Sequence, residues 1–216
     1  RELFLSSCSF CHGQSGEGIR TARGGVLGPS LVGVGAAAVN FQVSTGRMPL
    51  ADPGAQAPSK QNIYSDEDVA ALAAYVASLA PGPAIPTEEQ IAYADADPAY
   101  GGELFRINCS QCHQAAGEGG ALTEGKYAPS LMEASPRTIY EAMLTGPQNM
   151  PVFSDAQLPT KDKQAIIAYV RTMQESSNPG GLSLGRFGPV SEGVFMATAL
   201  FAALIGAAVW IGIKAR

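Results

Sequence analysis

Cys8-Ser9-Phe10-Cys11-His12 is repeated later in the chain as Cys109-Ser110-Gln111-Cys112-His113, and the two copies contain every cysteine and histidine of the 216 residues. The pattern Cys-x-x-Cys-His is the attachment sequence for c-type haem. Both thiols bond to the haem vinyl groups, and the adjacent imidazole binds the iron. The sequence therefore predicts a redox protein with two covalently bound haem c groups.

Three other interpretations of the cysteines explain less. A disulfide framework does not require a histidine after each second cysteine. A zinc site built from both pairs would need them close together, whereas each pair lies in its own repeat. A thioredoxin-like motif would need a preceding strand and a parallel sheet, which the surrounding pattern does not indicate. Haem attachment is the interpretation that accounts for both copies.

The similarity of the two halves extends well beyond the motifs. A short apolar helix precedes each motif and a glycine-rich loop follows it. Each unit has about 80 residues, a size at which a hydrophobic core alone is marginal, so we expect the porphyrin to complete it. The other repeated stretches are Glu2-Leu3-Phe4 and Glu103-Leu104-Phe105, Gly28-Pro29-Ser30-Leu31 and Ala128-Pro129-Ser130-Leu131, Thr45-Gly46-Arg47-Met48-Pro49 and Thr145-Gly146-Pro147-Gln148-Asn149-Met150-Pro151.

Each unit is predicted to close with an amphipathic helix. In residues 65–79 the apolar positions recur at intervals of three and four, with Ser65 as a suitable N-cap and acidic residues in the first turn. Residues 160–173 repeat the pattern. The Tyr-Val pair that both helices share, Tyr75-Val76 and Tyr169-Val170, is expected to pack against haem or the first helix of its unit.

The composition divides the chain into five parts. Residues 1–80 and 98–175 are the two haem units, and residues 81–97 form a proline-rich acidic linker expected to hold the units side by side. Residues 176–192 form a looser Gly/Ser/Pro tether. Residues 193–213 carry no charge and are long enough to cross a bilayer as a helix.

The charges that flank the apolar segment predict its orientation. Glu192 precedes it, and Lys214 and Arg216 follow it, so the positive-inside bias places the C-terminus in the cytoplasm and the haem units outside. No signal peptide precedes Cys8, although the haem units must be exported, so we expect a mature or truncated form.

Net charge helps to define the partners. The chain has a formal net charge of −5, and neither haem unit is strongly one-signed. Long-range electrostatic steering toward a soluble partner is therefore not expected. The charge distribution favours an electron carrier that stays docked to its partners. Nothing in the sequence indicates nucleic-acid binding.

The sequence offers few residues that could be axial ligands of the irons. His12 and His113 are the only histidines, so bis-histidine ligation within the chain is impossible. Met48 is the only methionine of the first unit, and Met150 alone shares its Met-Pro context in the second, where Met132, Met143 and Met173 compete. A thioether ligand raises the potential and fills the sixth position, which predicts single-electron transfer without substrate binding at iron.

Together these residues resemble two tandem class I cytochrome c domains. The resemblance implies an all-α fold, here with one added C-terminal transmembrane helix. It also implies that the carbonyl groups of Pro29 and Pro129 accept hydrogen bonds from His12 and His113.

More narrowly, the paired domains and the anchor ending in Trp210-Ile211-Gly212 resemble the dihaem cytochrome cc subunit of the actinobacterial menaquinol-oxidising bcc complex. That resemblance implies three partners: a Rieske iron-sulfur protein, a cytochrome b subunit, and a haem-copper oxidase whose copper centre receives the electron. The chain would then be part of a quinol-cytochrome c reductase without its own substrate site. Members of the family also carry an N-terminal membrane helix, which is not among these residues, so a single-pass and a two-pass chain both stay open.

Other dihaem proteins are the alternatives. Dihaem subunits of other oxidases and of periplasmic dehydrogenases share paired motifs, but the former are expected to have an N-terminal anchor and many of the latter a further motif. A dihaem peroxidase would need an openable iron face, usually with additional histidines, and the sequence has none to spare.

Overall fold

The computed structural model describes residues 1–22, 24–52, 54–176 and 189–214. Within these residues, the first unit consists of four helices and a two-stranded antiparallel ladder. In chain order they are α1 (Glu2–Ser7), α2 (Ser9–His12), β1 (Ile19–Arg20), β2 (Val26–Gly28), α3 (Gly35–Ser44) and α4 (Asp66–Ala77).

The second unit repeats this order after a one-turn helix in the linker. Its elements are α5 (Glu88–Ile91), α6 (Pro98–Asn108), α7 (Ser110–His113), β3 (Gly120–Ala121), β4 (Tyr127–Ala128), α8 (Pro136–Thr145) and α9 (Thr160–Glu175), followed by the C-terminal helix α10 (Pro189–Lys214).

The fold is mostly helical, as predicted, but not purely so. Each glycine-rich loop folds back on itself as a short ladder, because its backbone N–H and C=O groups need partners where no helix supplies them. The periodicity of the sequence did not reveal these ladders, since they are only two or three residues long.

The first unit packs its first helix against its last. Phe4 of α1 is 1% exposed and lies in one cluster with the buried Val69, Leu72 and Val76 of α4. The ring of Tyr75 lies 4.8 Å from that of Phe4, centroid to centroid. The prediction that the Tyr-Val pair packs against the first helix is therefore confirmed for this unit.

The second unit is built in the same way from α6 and α9. The ring centroids of Phe105 and Tyr169 are 5.4 Å apart, in the arrangement seen for Phe4 and Tyr75. The helices approach so closely at Gly101 that a Cβ there would overlap the carbonyl group of Ala165. Glycine at this position lets the two helix backbones touch.

The predicted closing helices are present, with ends fixed by local chemistry. Ser65 caps α4, because its hydroxyl accepts a hydrogen bond from the Asp68 N–H at 3.2 Å, and acidic residues occupy the first turn. Helix α9 begins at Thr160 and runs two residues beyond the predicted end.

Linker residues bond to both units. The Pro83 carbonyl accepts the N–H of Ala37 in α3 at 3.1 Å, and the Pro86 carbonyl accepts the Arg137 guanidinium of α8 at 2.8 Å. The amide of Gln164 in α9 donates to the Glu89 carbonyl at 2.8 Å. These bonds hold the linker against three helices.

The C-terminal helix is exposed from residue 192 to residue 214. Its membrane-length stretch, Ser191–Lys214, contains an 18-residue window with a mean hydropathy of 2.3. The Lys214 ammonium lies 4.5 Å from the Trp210 ring centroid. The part of the predicted tether that covers residues 177–188 lies outside the described residues.

A buried carboxyl group joins the two units directly. Glu141 of α8 is 1% exposed and accepts a hydrogen bond from the Asn40 amide of α3 at 2.8 Å. Burial raises the pKa of Glu141 to about 7, although Asn40 and Arg137 lower it. Asp66 of α4 lines the same polar cavity. A neutral carboxyl group therefore suits this interface best.

Glu141 predicts a pH dependence of stability. Between pH 4.5 and about 7 the folded chain retains a proton that the unfolded chain releases, so the free energy of unfolding falls as pH rises through this window. The loss is about 3 kcal/mol. Glu141→Gln should remove most of it when thermal unfolding of the haem-loaded chain in detergent is compared at pH 5 and pH 8.

The exposed Glu133 offers a matched control. Glu133→Gln should retain the pH dependence of the unmodified chain. An unchanged pH dependence in Glu141→Gln would contradict the assignment of this carboxyl group.

Candidate haem sites

Both Cys-x-x-Cys-His motifs fold as one helical turn that follows a break in the helix. Cys8 lies between α1 and α2, and Cys109 lies between α6 and α7. In each case the N–H of the first cysteine still bonds to the preceding phenylalanine carbonyl, at 2.8 Å. The first and second cysteines, three residues apart on a helical turn, then present their thiols on one face.

Each histidine is held in one orientation by a proline carbonyl. His12 Nδ1 lies 2.7 Å from the Pro29 oxygen, and His113 Nδ1 lies 2.9 Å from the Pro129 oxygen. A carbonyl only accepts, so Nδ1 carries the proton and Nε2 keeps its lone pair for a metal. Burial lowers the pKa of His113, although the bond to Pro129 raises it, which favours the neutral imidazole.

The glycine-rich loops carry the prolines to these positions by the same bonds in both units. Six residues after each histidine, a glycine at positive φ donates its N–H to the histidine carbonyl, from Gly18 at 2.7 Å and from Gly119 at 3.0 Å. The left-handed backbone explains why glycine occupies these two positions. The loop returns so closely that a Cβ at Gly28 would overlap the Cys11 carbonyl.

The second unit contains a large cavity bordered by its predicted site residues. The space between its lining residues, open solvent included, is about 1130 Å³. Most of its walls are apolar and come from α6, α8, α9 and the loops between them. The predicted site residues that line it are Cys109, Cys112, His113, Pro129 and Met150.

This cavity fits a c-type haem. Its thiols, a neutral imidazole and a thioether surround an apolar space, as a porphyrin with thioether links and soft axial ligands requires. Burial raises the pKa of the Cys109 thiol to about 12, with a smaller contribution from Cys112, so the thiol is neutral at physiological pH. Burial likewise raises the pKa of the Cys8 thiol.

The methionines fall into distinct places. Met150 and Met143 both line the second cavity, and Met143 is 2% exposed. Met132 and Met173 instead converge on the Gly117 loop, where their methyl groups would meet an added Cβ. The structure thus places two methionines at the cavity, and the shared Met-Pro context is the reason for predicting Met150 as the ligand.

In the first unit, Met48 and Cys8 pack against the same hydrophobic cluster, which includes Phe4 and Val76. The N–H of Met48 donates to the Gln42 carbonyl at 2.9 Å, which ties the Met-Pro segment to α3. Of the predicted residues of this unit, Cys8 and Met48 therefore share one core, and His12 bonds to Pro29.

The sequence analysis missed one part of the second site. Phe41, Arg47 and Gln56 belong to the first unit, yet they line the cavity of the second. No linear motif marks such a contribution, because it depends on how the units dock. One signal was available: Arg47 occupies the position before Met48, where the second unit has Asn149.

Two family models match the chain and together cover both units. Residues 1–80 match the model described as cytochrome c, and residues 96–170 match the model described as cytochrome c oxidase, cbb3-type, subunit III. The chain is therefore a c-type cytochrome, and cytochrome c domains carry covalently bound haem c.

Proteins that are similar over nearly the whole chain define its family more narrowly. Each is named cytochrome bc1 complex cytochrome c subunit. The protein from Corynebacterium efficiens is 45% identical over 98% of this chain and 75% of its own length. Those from Mycobacterium tuberculosis and Mycobacterium leprae are 47% and 46% identical, over 99% and 100% of this chain and 76% and 74% of their own lengths. The chain belongs to the family of cytochrome c subunits of the cytochrome bc1 complex.

Carbon monoxide distinguishes the two methionines at the second cavity. Met150→Ala should remove the sixth ligand, so the reduced second haem should bind carbon monoxide and shift its Soret band. Met143→Ala, a matched truncation in the same cavity, should leave carbon monoxide binding at the level of the unmodified protein. The reverse pattern would identify Met143 as the ligand.

Proposed function

We propose that the chain is a membrane-anchored dihaem electron carrier. It takes single electrons from the Rieske iron-sulfur protein of a menaquinol-oxidising complex and delivers them to the copper centre of a haem-copper oxidase. The repeated histidine–proline site carries the proposal, because it occurs once in each unit of a chain that is related along its length to bc1-complex cytochrome c subunits.

The proposed roles of the residues are the same in both units. The cysteines bond covalently to two haem c groups, the histidines and methionines bind the irons, and the prolines fix the imidazoles. In chain order the attachment residues are Cys8, Cys11, Cys109 and Cys112, the axial ligands are His12, Met48, His113 and Met150, and the carbonyl acceptors are Pro29 and Pro129.

Histidine–methionine ligation suits this role. The bound haem supplies one-electron chemistry at a potential that the thioether raises. The protein keeps the coordination sphere filled and the imidazole in one orientation, which limits rearrangement on reduction. The chain in this role needs no substrate site of its own, and the catalytic oxidation of quinol belongs to the cytochrome b partner.

The chain organisation supports a fixed carrier. Residues 1–80 and 98–175 would be the haem domains, joined by the linker 81–97 that bonds to both. The tether 176–192 would lead to a membrane helix at 193–213. The exposed apolar surface of α10 needs a lipid cover, and Lys214 at its end favours a cytoplasmic C-terminus with the haem domains outside.

A second candidate is a dihaem electron-transfer subunit of another oxidase. The match of residues 96–170 to the cbb3-type subunit III model favours it. A subunit of a periplasmic dehydrogenase is a further alternative. A dihaem peroxidase is disfavoured, because His12 and His113 are the only histidines and both bond to prolines.

A reduced-minus-oxidised spectrum tests the proposal. The complex is purified from membranes in mild detergent through a tag on this chain. Bands of b-type and a-type haem beside the c-type band, all reduced by a menaquinol analogue and reoxidised by oxygen, are expected.

The control is the same preparation with Met48→His, Met150→His. Histidine in place of the thioether lowers both potentials, so oxygen-dependent turnover should slow while the three types of band remain. A c-type band alone in the unmodified preparation would contradict the proposal and favour a carrier for another dehydrogenase.

A further inference from the structure

The first unit forms one wall of the cavity in the second unit. Phe41 of α3 is 3% exposed and, with Arg47 and Gln56, lines the cavity beside residues of the second unit. The second site is therefore assembled from both halves of the chain.

Hydrogen bonds across the boundary hold this wall in place. The Gln56 side chain donates to the Tyr127 carbonyl and accepts from the Tyr127 N–H, both at 2.8 Å. The Gln148 amide donates to the Ala57 carbonyl at 3.2 Å. Tyr127 and Gln148 also line the cavity and are exposed to solvent, so these bonds lie at its rim.

Arg47 gives this rim its charge. Among the described lining residues it is the one Lys, Arg, Asp or Glu side chain. Its guanidinium lies 4.8 Å from the Phe41 ring centroid, and it forms no salt bridge within the described parts of the chain. A cation in a largely apolar cavity is expected to face an anion.

A bound porphyrin would supply that anion. With its vinyl groups bonded to Cys109 and Cys112, its propionate groups, which lie on the opposite edge of the ring, would be directed away from these cysteines. The polar rim contributed by Gln56, Tyr127, Gln148 and Asn149 is the part of the cavity suited to them. From this placement we infer that Arg47 of the first unit pairs with a propionate of the second haem. The inference rests on the proposed second haem.

The pairing would affect the potential of the second haem. A cation beside the propionate disfavours the ferric state, so Arg47 raises the potential of the second haem. The same residue is adjacent in sequence to Met48, the proposed ligand of the first iron. Asn149 occupies the corresponding position in the second unit, so the pairing has no counterpart there.

Redox titration of the c-type band in the intact complex tests the assignment. Met48→His and Met150→His first identify the two waves, because each lowers the potential of its own haem. Arg47→Gln should then lower the reduction equilibrium constant of the second haem on the order of tenfold, about 59 mV. The first haem should be nearly unchanged.

Two variants separate the specific pairing from a general effect of charge. Arg47→Lys keeps the charge without the planar fork, so it should lower the second potential less than Arg47→Gln. Arg20→Gln removes an exposed positive charge from the same unit and should shift neither wave.

Two results would overturn the inference. The first is an unshifted second wave in Arg47→Gln with both haems bound. The other is a shift of equal size in the first wave. A single c-type wave in the unmodified protein, with one haem per chain, would instead refute the proposed two-haem loading.

Discussion

The hydrogen bond between each histidine and its proline carbonyl determines the geometry of both units. It joins the motif helix to the end of the glycine-rich loop and leaves Nε2 free for iron. The loop must return across the motif to make it, which requires glycine at the close approaches and at positive φ. The first and last helices then close the unit through the paired rings.

The two units repeat this arrangement, but they do not contribute equally to the cavity of the second unit. Helix α3 packs against α8, a buried Glu141 bonds to Asn40 across the contact, and the linker bonds to both sides. The first unit also forms a wall of the second cavity. Their attachment to each other suits the fixed carrier proposed above rather than one that diffuses.

Local patterns in the sequence were enough to predict the helix that precedes each motif, the closing helices and the C-terminal apolar helix. The stretches that became α3 and α8 were not assigned. In α3 the apolar residues are spread around the helix, with Asn40 and Gln42 among them, so no amphipathic period marks it. Helix α8 is amphipathic and begins with Ser135-Pro136, a start signal that the sequence analysis did not use. The short ladders and α5 were missed since they are only two to four residues long. Arg47 could not be placed because its role depends on docking between units that are distant in sequence.

Intact-mass measurement of the denatured chain tests the central claim most directly, because thioether bonds keep haem attached after unfolding. The account predicts a mass equal to the chain plus two haem groups. The double variant Cys109→Ala, Cys112→Ala should lose one of them and retain the other on Cys8 and Cys11. A single haem in the unmodified chain would contradict the account.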